Sequence, residues 1–423
     1  MSWISNLLKG KFYIILYLIF FVLLVNPYTL SLLDTKSDFG LINYLLIHKA
    51  YKLIYTLHIV NLIGVTLFVF KRTIFIQLVV ACGFVIIVDF AISPFVDRES
   101  PQDFRLKKPE PYSNADYFSP EFIDEAFVQP QRWILDDSYG GVKPANFEGR
   151  WFNVQNHRRI TVNSDEEFKK TLYLFGGSTV YNSEVPDSLT IASQLAEIGA
   201  NEASFEVVNM GASSIHSSQQ FARLVSEVEL KKGDIVVFYD GVNDVQQRIV
   251  YENKEGYMFG RPKNESFPIR VIRLAQDYSA IAKLLLDTMG KNVKPVSEDL
   301  VENSIVDYLQ TLDEAHNHVI NSGGSFFHFL QPTLFTKSNL SEYELMLIEK
   351  GSHFVPVQTK YVFERVYPAI IKQLELVKYS NSLTDSFDDL SASPYLDFCH
   401  VNHIGNQIIA NEIWRSILQR SNH

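Results

Sequence analysis

The sequence predicts an α/β domain built on a parallel sheet with both faces covered, preceded by an α-helical transmembrane segment of three helices. Three observations predict it. From residue 171 onward, short β-favouring runs alternate with stretches of helical spacing, the pattern of parallel strands joined by crossover helices. The runs end in glycine or small polar residues, which lets the chain turn sharply at the carboxyl ends of the strands. The first hundred residues of the 423 are densely apolar, and the composition changes abruptly at Asp97. A chain of this length exceeds one ordinary domain. Its net charge of −10 speaks against a nucleic-acid partner. The two cysteines, Cys82 and Cys399, lie far apart in unlike contexts and offer neither a disulfide framework nor a zinc site.

Residues 12–33 carry no charge, which matches the ~20 residues needed to cross a bilayer. The stretch is too long for the apolar core of a signal peptide. Further apolar runs cover 53–70 and 73–96, separated by Lys71 and Arg72. Lys9, Lys11, Lys71 and Arg72 share one side of a three-span arrangement, opposed by Lys49 and Lys52. The positive-inside rule calls that side cytoplasmic and sends the rest of the chain across the membrane. The expected setting is a bacterial inner membrane with an extracytoplasmic domain. His58 and Asn61, in the second run, suit hydrogen bonding between helices or a polar path.

Residues 97–170 read as a linker followed by an aromatic-rich extension. The first twenty are charged and hold three prolines, so they cannot bury a core. The segment around Trp151 and Phe152 reads as turn-rich strand packed on the next domain. Arg158 and Arg159 within it suit either a ligand-facing position or an ion-paired surface.

The main domain, 171–423, begins with TLYLFGGSTV. A buried strand at 171–175 breaks at Gly176 and Gly177 and delivers Ser178 to the carboxyl end of the sheet, where open α/β sheets place their chemistry. Further strands are expected at FEVVNMG, ending at Gly211, at 234–241, and at 325–332. Helices are expected after Thr190, after Gly211, over 304–321, near 341–351, over 356–379, and from Gly405. An irregular insert at 246–300 suits a lid or rim.

Ser178, Gly211, Asn243, Asp244, Asp397 and His400 follow strands or precede the last helix. They converge on one sheet edge and suit acyl transfer. A serine hydroxyl is a poor nucleophile until a base takes its proton, and a histidine, with an ordinary pKa near ~6.5, suits that task. Asp397, three residues before His400, can fix the imidazole tautomer. The backbone N–H groups of Ser178 and Gly211 and the Asn243 amide are candidate oxyanion donors. Asp244 suits holding Asn243 in place, and Gly177 suits supporting the turn.

Four blocks, GGSTV, NMGA, DGVND and DFCHVNHIG, stand in an order that resembles the SGNH (GDSL-type) hydrolases. The last follows that family's D-x-x-H pattern. The first departs from it, with Gly177 where the family often has aspartate. Variants beginning GGST resemble membrane-tethered members associated with bacterial cell-surface polysaccharide. The resemblance covers 171–423. It implies a flavodoxin-like three-layer α/β/α fold and esterase, lipase or O-acyl-transfer activity with no metal and no organic cofactor. The implied partners are the lipid bilayer and an acylated glycan or lipid-linked saccharide. Three functions stay open: a membrane-anchored serine esterase or deacylase, a polysaccharide O-acetyltransferase, and a non-catalytic glycan-binding scaffold.

Other candidates are weaker. His400 and His403 have no third metal ligand at sensible spacing. His316, Asn317 and His318 spell HNH within a helical pattern. His216 suits either the pocket or a helix surface, and Gln331 with Pro332 either pocket shaping or a plain strand end. Cys399 suits packing.

Overall fold

The computed structural model describes residues 83–93, 105–107, 109–127, 133–162, 170–202, 205–250, 279–282, 284–285, 295–350, 355 and 357–421. The chain forms two compact units, Met1–Val96 with Ser279–Ile281, and Asp97–Tyr278 with Ala282–His423. In the first unit a helix spans 83–93 and exposes Phe84, Ile86, Ile87 and Phe90. Asp89 on this helix accepts hydrogen bonds from the Ser279 hydroxyl and the Ile281 N–H, both at 2.8 Å. Among the described residues no helix is long and apolar enough to cross a membrane. The spans expected at 12–33 and 53–70, with His58 and Asn61, lie outside the described residues, as does 73–96 except for 83–93. So does most of the insert at 246–300.

The second unit begins with helix α1 (Pro120–Phe127), the hairpin of β1 (Trp133–Asp136) and β2 (Gly141–Pro144), and the short hairpin of β3 (Val154–Gln155) and β4 (Arg158–Arg159). The extension belongs to the same unit as the sheet. The buried Glu125 carboxylate of α1 accepts from the N–H groups of Trp151 and Phe152, at 2.6 and 2.9 Å.

Strand β5 (Thr171–Gly176) leads into the one-turn helix α2 (Ser178–Tyr181) and then α3 (Ile191–Glu202). β6 (Glu206–Gly211) is followed by α4 (Ser217–Glu227), and β7 (Ile235–Asp240) by α5 (Val242–Val245). α6 (Glu298–Asn321) starts at Ser297, whose hydroxyl accepts from the Leu300 N–H. β8 (Ser325–Leu330), α7 (Glu342–Lys350), α8 (Val357–Leu374), β9 (Ser380–Ser382) and α9 (His403–Ser421) complete the chain.

The five sheet strands stand in the order β6-β5-β7-β8-β9 and all pair in parallel. Counted along the chain this is 2-1-3-4-5, the order of flavodoxin-like sheets. Side chains alternate between the faces with period two. On β7, Ile235, Val237 and Tyr239 join one core with Leu195, Ile409, Ile413 and Trp414. Val236 and Phe238 join the other, with Leu312, Val362, Phe363 and Val366. The strand order reverses between β5 and β7. The carboxyl ends of these two strands carry Ser178 and Asn243, so the candidate site sits at the switch point where such sheets bind ligands.

Candidate active site

Ser178 is the first residue of α2, directly after Gly177, and its backbone N–H has no partner among the described residues. A Cβ placed on Gly177 would collide with the Asn243 side-chain amide. The glycine is thus what lets Asn243 approach the serine turn. Gly211 is equally crowded, with the Tyr181 nitrogen and the Val180 carbonyl carbon where a Cβ would lie.

His400 Nε2 lies 2.8 Å from Ser178 Oγ, and His400 Nδ1 lies 2.7 Å from Asp397 Oδ2. The second oxygen of Asp397 accepts from the N–H groups of Cys399 and His400, at 2.9 and 2.8 Å. The D-x-x-H spacing therefore closes a turn around the carboxylate, and the Leu396 N–H donating 2.8 Å to the His400 carbonyl seals it. The segment leading in is fixed by Ser393, whose hydroxyl donates 2.9 Å to Glu344. Glu344 is itself paired with Lys337 at 2.8 Å, and both side chains are buried. The side chains of His400 and Asp397 remain 18% and 13% exposed, so the relay reaches solvent at one edge.

Burial disfavours the imidazolium of His400, but the Asp397 carboxylate, with further negative charge from Glu184, outweighs it. The imidazole is held well above the ordinary histidine range. Burial also works against the charged form of Asp397, and the imidazole and the backbone donors hold that carboxyl below its usual value. Burial pushes the Cys399 thiol up to about 12, which leaves it an inert packing residue. Asp397, Cys399 and His400 bring metal-ligating atoms close together. The thiol stays protonated and both imidazole nitrogens are engaged, so the donor set suits proton relay rather than metal binding.

The Asn243 amide donates 2.8 Å to the Ile215 carbonyl, which leaves its second N–H uncommitted. Among the described residues no hydrogen bond joins the Asp244 carboxylate to the Asn243 side chain. That carboxylate accepts from the Ser217 N–H, at 3.2 Å, and from the Ser217 hydroxyl, at 2.5 Å, and so ties α5 to the start of α4. His216, directly before, is buried, which lowers its imidazole to about 4. It caps the start of α4 from a buried position, with the Ser218 hydroxyl 2.9 Å from its Nδ1, rather than lying on the helix surface.

Gly211 departs from its expected role as an oxyanion donor. Its N–H donates 2.9 Å to Asn209 Oδ1, while Asn209 Nδ2 donates 2.9 Å to the Val180 carbonyl. Gly211 therefore serves close packing, and Asn209 braces the turn after the nucleophile. Ser214, three residues on, has a left-handed backbone, φ 60°, that few non-glycine residues adopt. Its N–H has no partner among the described residues. The sequence reading did not single out Ser214, which lies between β6 and α4.

Two residues the sequence singled out for other roles act as braces. The Gln331 amide donates to the Thr179 hydroxyl and accepts from the Val242 N–H at 3.4 Å. One buried side chain thus joins the residue after Ser178 to the residue before Asn243. Arg159 is neither ligand-facing nor a surface residue. It is buried, donates to Asp187 Oδ1 at 2.9 Å, and binds the carbonyls of Tyr181, Asn182 and Val185. Arg158 pairs with Glu227 at 3.7 Å. His403 Nδ1 lies 3.3 Å from the Tyr117 hydroxyl, and His316 stacks on Tyr379.

No protein-family model matches the chain, and no curated protein matches it. Solved structures do. An α/β hydrolase from the metagenome of Lake Arreo, Spain, is 16% identical, with 57% of this chain and 92% of that one covered and a TM-score of 0.32. A member of the lipolytic G-D-S-L family from Veillonella parvula is 10% identical over 58% and 97%, with a TM-score of 0.31. An acetyl xylan esterase from Geobacillus stearothermophilus is 15% identical over 59% and 94%, with a TM-score of 0.33.

Proposed function

We propose that this chain is a membrane-anchored serine esterase that removes O-acyl groups from cell-surface glycan through an acyl-enzyme. The observation that carries the reading is the continuous relay from Asp397 through His400 to Ser178 Oγ, at 2.7 and 2.8 Å. In this reading His400 Nε2 takes the Ser178 proton as Oγ attacks the ester carbonyl, and Asp397 holds Nδ1–H and the imidazolium that forms. The oxyanion is met by the free N–H groups of Ser178 and Ser214 and by the second N–H of Asn243. His400 returns the proton to the departing alcohol. Water then repeats the sequence on the acyl-enzyme and releases the acid. A sugar hydroxyl in place of that water would make the same site an O-acyltransferase.

The glycan substrate and the extracytoplasmic location are inferred from the apolar runs at 12–33, 53–70 and 73–96, the basic residues around them, and the resemblance of the GGST block. The apolar side chains exposed along 83–93 agree with a lipid setting. The test is release of acetate from acetylated glycan by the purified full-length protein, with Ser178→Ala alongside. Release by the wild type alone supports the reading, and acetyl on sugar in place of free acetate would shift it to transfer. If both proteins are inert on glycan and on simple esters, the enzyme reading fails in favour of a scaffold.

A further inference from the structure

The sheet holds a second set of serine, histidine and aspartate side chains, separate from the relay at Ser178. Ser380 Oγ on β9 lies 2.7 Å from His328 Nδ1 on β8, and His328 Nε2 lies 3.1 Å from Asp240 Oδ1 at the end of β7. The chain continues onto α6, where the Tyr308 hydroxyl donates 2.6 Å to the same Asp240 oxygen and lies 2.8 Å from His328 Nε2. The single O–H of Tyr308 goes to Asp240, so His328 Nε2–H is the donor to both oxygens. This set is no second nucleophilic site. Asp240 and Tyr308 are 1% exposed and His328 is fully buried, so no ester reaches it.

Its surroundings are otherwise apolar. Asp240 follows Phe238 by two residues and shares its face of the sheet, which packs on Leu312, Val362, Phe363 and Val366. Replacing buried charged groups of this kind by apolar side chains often leaves a protein at least as stable. What a buried polar network adds is one stiff arrangement of the elements it joins.

The element held here is the turn that carries Asn243. Asp240 is the last residue of β7, and its carbonyl accepts 2.9 Å from the Gln331 N–H, so its backbone and its side chain are both fixed. Gly241 follows with φ 107°, and α5 starts directly after it with Val242 and Asn243. A Cβ on Gly241 would stand 3.4 Å from the Tyr308 hydroxyl and 3.5 Å from the Tyr367 hydroxyl. Side chains of α6 and α8 thus close on this turn. Asn243 leaves the sheet from a residue whose direction the buried chain sets.

We propose that Asp240, His328 and Tyr308 are positioning residues for the Asn243 donor. Their hydrogen bonds, drawn from β9, β8 and α6, fix the Gly241 turn, and the turn fixes how Asn243 faces Ser178. This rests on the serine-esterase reading above, in which Asn243 meets the oxyanion.

The test is a double-mutant cycle on full-length protein with p-nitrophenyl acetate. Tyr308→Phe removes one hydroxyl and keeps the ring. Where Asn243 is present it is expected to lower kcat by about tenfold with KM nearly unchanged. In Asn243→Ala it is expected to add almost nothing. A loss of kcat at least about threefold greater with Asn243 than without it supports the proposal. A smaller difference, or no loss at all, overturns it, since a general weakening of the fold acts on both backgrounds alike. Should Tyr308→Phe not fold, Ser380→Ala, at the far end of the chain, is taken through the same cycle and read by the same difference. If wild type does not cleave the ester, the esterase reading fails on its own, and NMR of protein carrying isotope-labelled asparagine decides the positioning. The side-chain amides of Asn243 and Asn209 are identified by their loss in Asn243→Ala and Asn209→Ala. A larger shift of the Asn243 amide than of the Asn209 amide in Tyr308→Phe supports the proposal, and a shift no larger overturns it.

Discussion

Gly177 and Asn243 meet across the switch point of the sheet, the α-carbon of one against the side-chain amide of the other. Neither residue is near the other in sequence, yet the contact sets how closely the Asn243 donor approaches Ser178. Gly177→Ala is therefore expected to push Asn243 away. Loss of one oxyanion donor typically lowers kcat by about 10²–10³. Stopped kinetics on a small ester, with folding checked by circular dichroism, measures it. Asn243→Ala should fall in the same range, and the double variant should be little worse than either single one.

The pH dependence follows from His400. The general base must be neutral, and Asp397 holds the imidazole well above its ordinary value, although burial works the other way. The acidic limb of kcat/KM is expected to lie above about pH 6.5. Asp397→Asn should move that limb down while lowering the rate. The stability contribution runs oppositely. A raised folded-state pKa adds stability that is full below the unfolded histidine value and is lost as pH rises through the folded one. In this window, rising pH should increase activity and reduce the stabilising share of the His400–Asp397 pair. Denaturant melts of wild type and His400→Ala across the range measure that share.

Arg159 connects the aromatic extension to the loop after the nucleophile. Arg159→Met leaves Asp187 buried without its partner and frees three carbonyls. Breaking a buried pair in this way costs about 3–5 kcal/mol. Urea denaturation should show that loss, and Arg159→Lys should recover little of it, because one ammonium cannot reach four acceptors in a fork.

Gln331 offers a milder perturbation. Gln331→Leu keeps the volume but unties Thr179 from Val242. It is expected to lower kcat by about tenfold with KM nearly unchanged, the pattern of a misplaced site rather than a lost substrate contact.

Much of this architecture was legible in the sequence, for reasons that differ residue by residue. β5, β7 and β8 are runs of apolar residues bounded by turns, so their places could be read directly. β9 could not be, since Ser380, Asn381 and Ser382 have no apolar pattern and form a strand only because β8 offers an edge. His400 and Asp397 are marked by spacing and by residue chemistry. Ser214 carries no such mark, because a left-handed backbone is read from glycine or asparagine and not from serine. Asn209, Gln331 and Arg159 act through partners that only the folded chain brings near. The same holds for Gly211, where the sequence shows a glycine but not the Asn209 Oδ1 that accepts from its N–H.

The relay at Ser178 is tested most directly by covalent labelling. Full-length protein, treated with a fluorophosphonate and digested, should carry the adduct on the peptide containing Ser178. His400→Ala should slow the labelling by orders of magnitude, and Ser178→Ala should abolish it. A folded wild-type protein that takes up no label, or that carries it on another serine, would contradict the account.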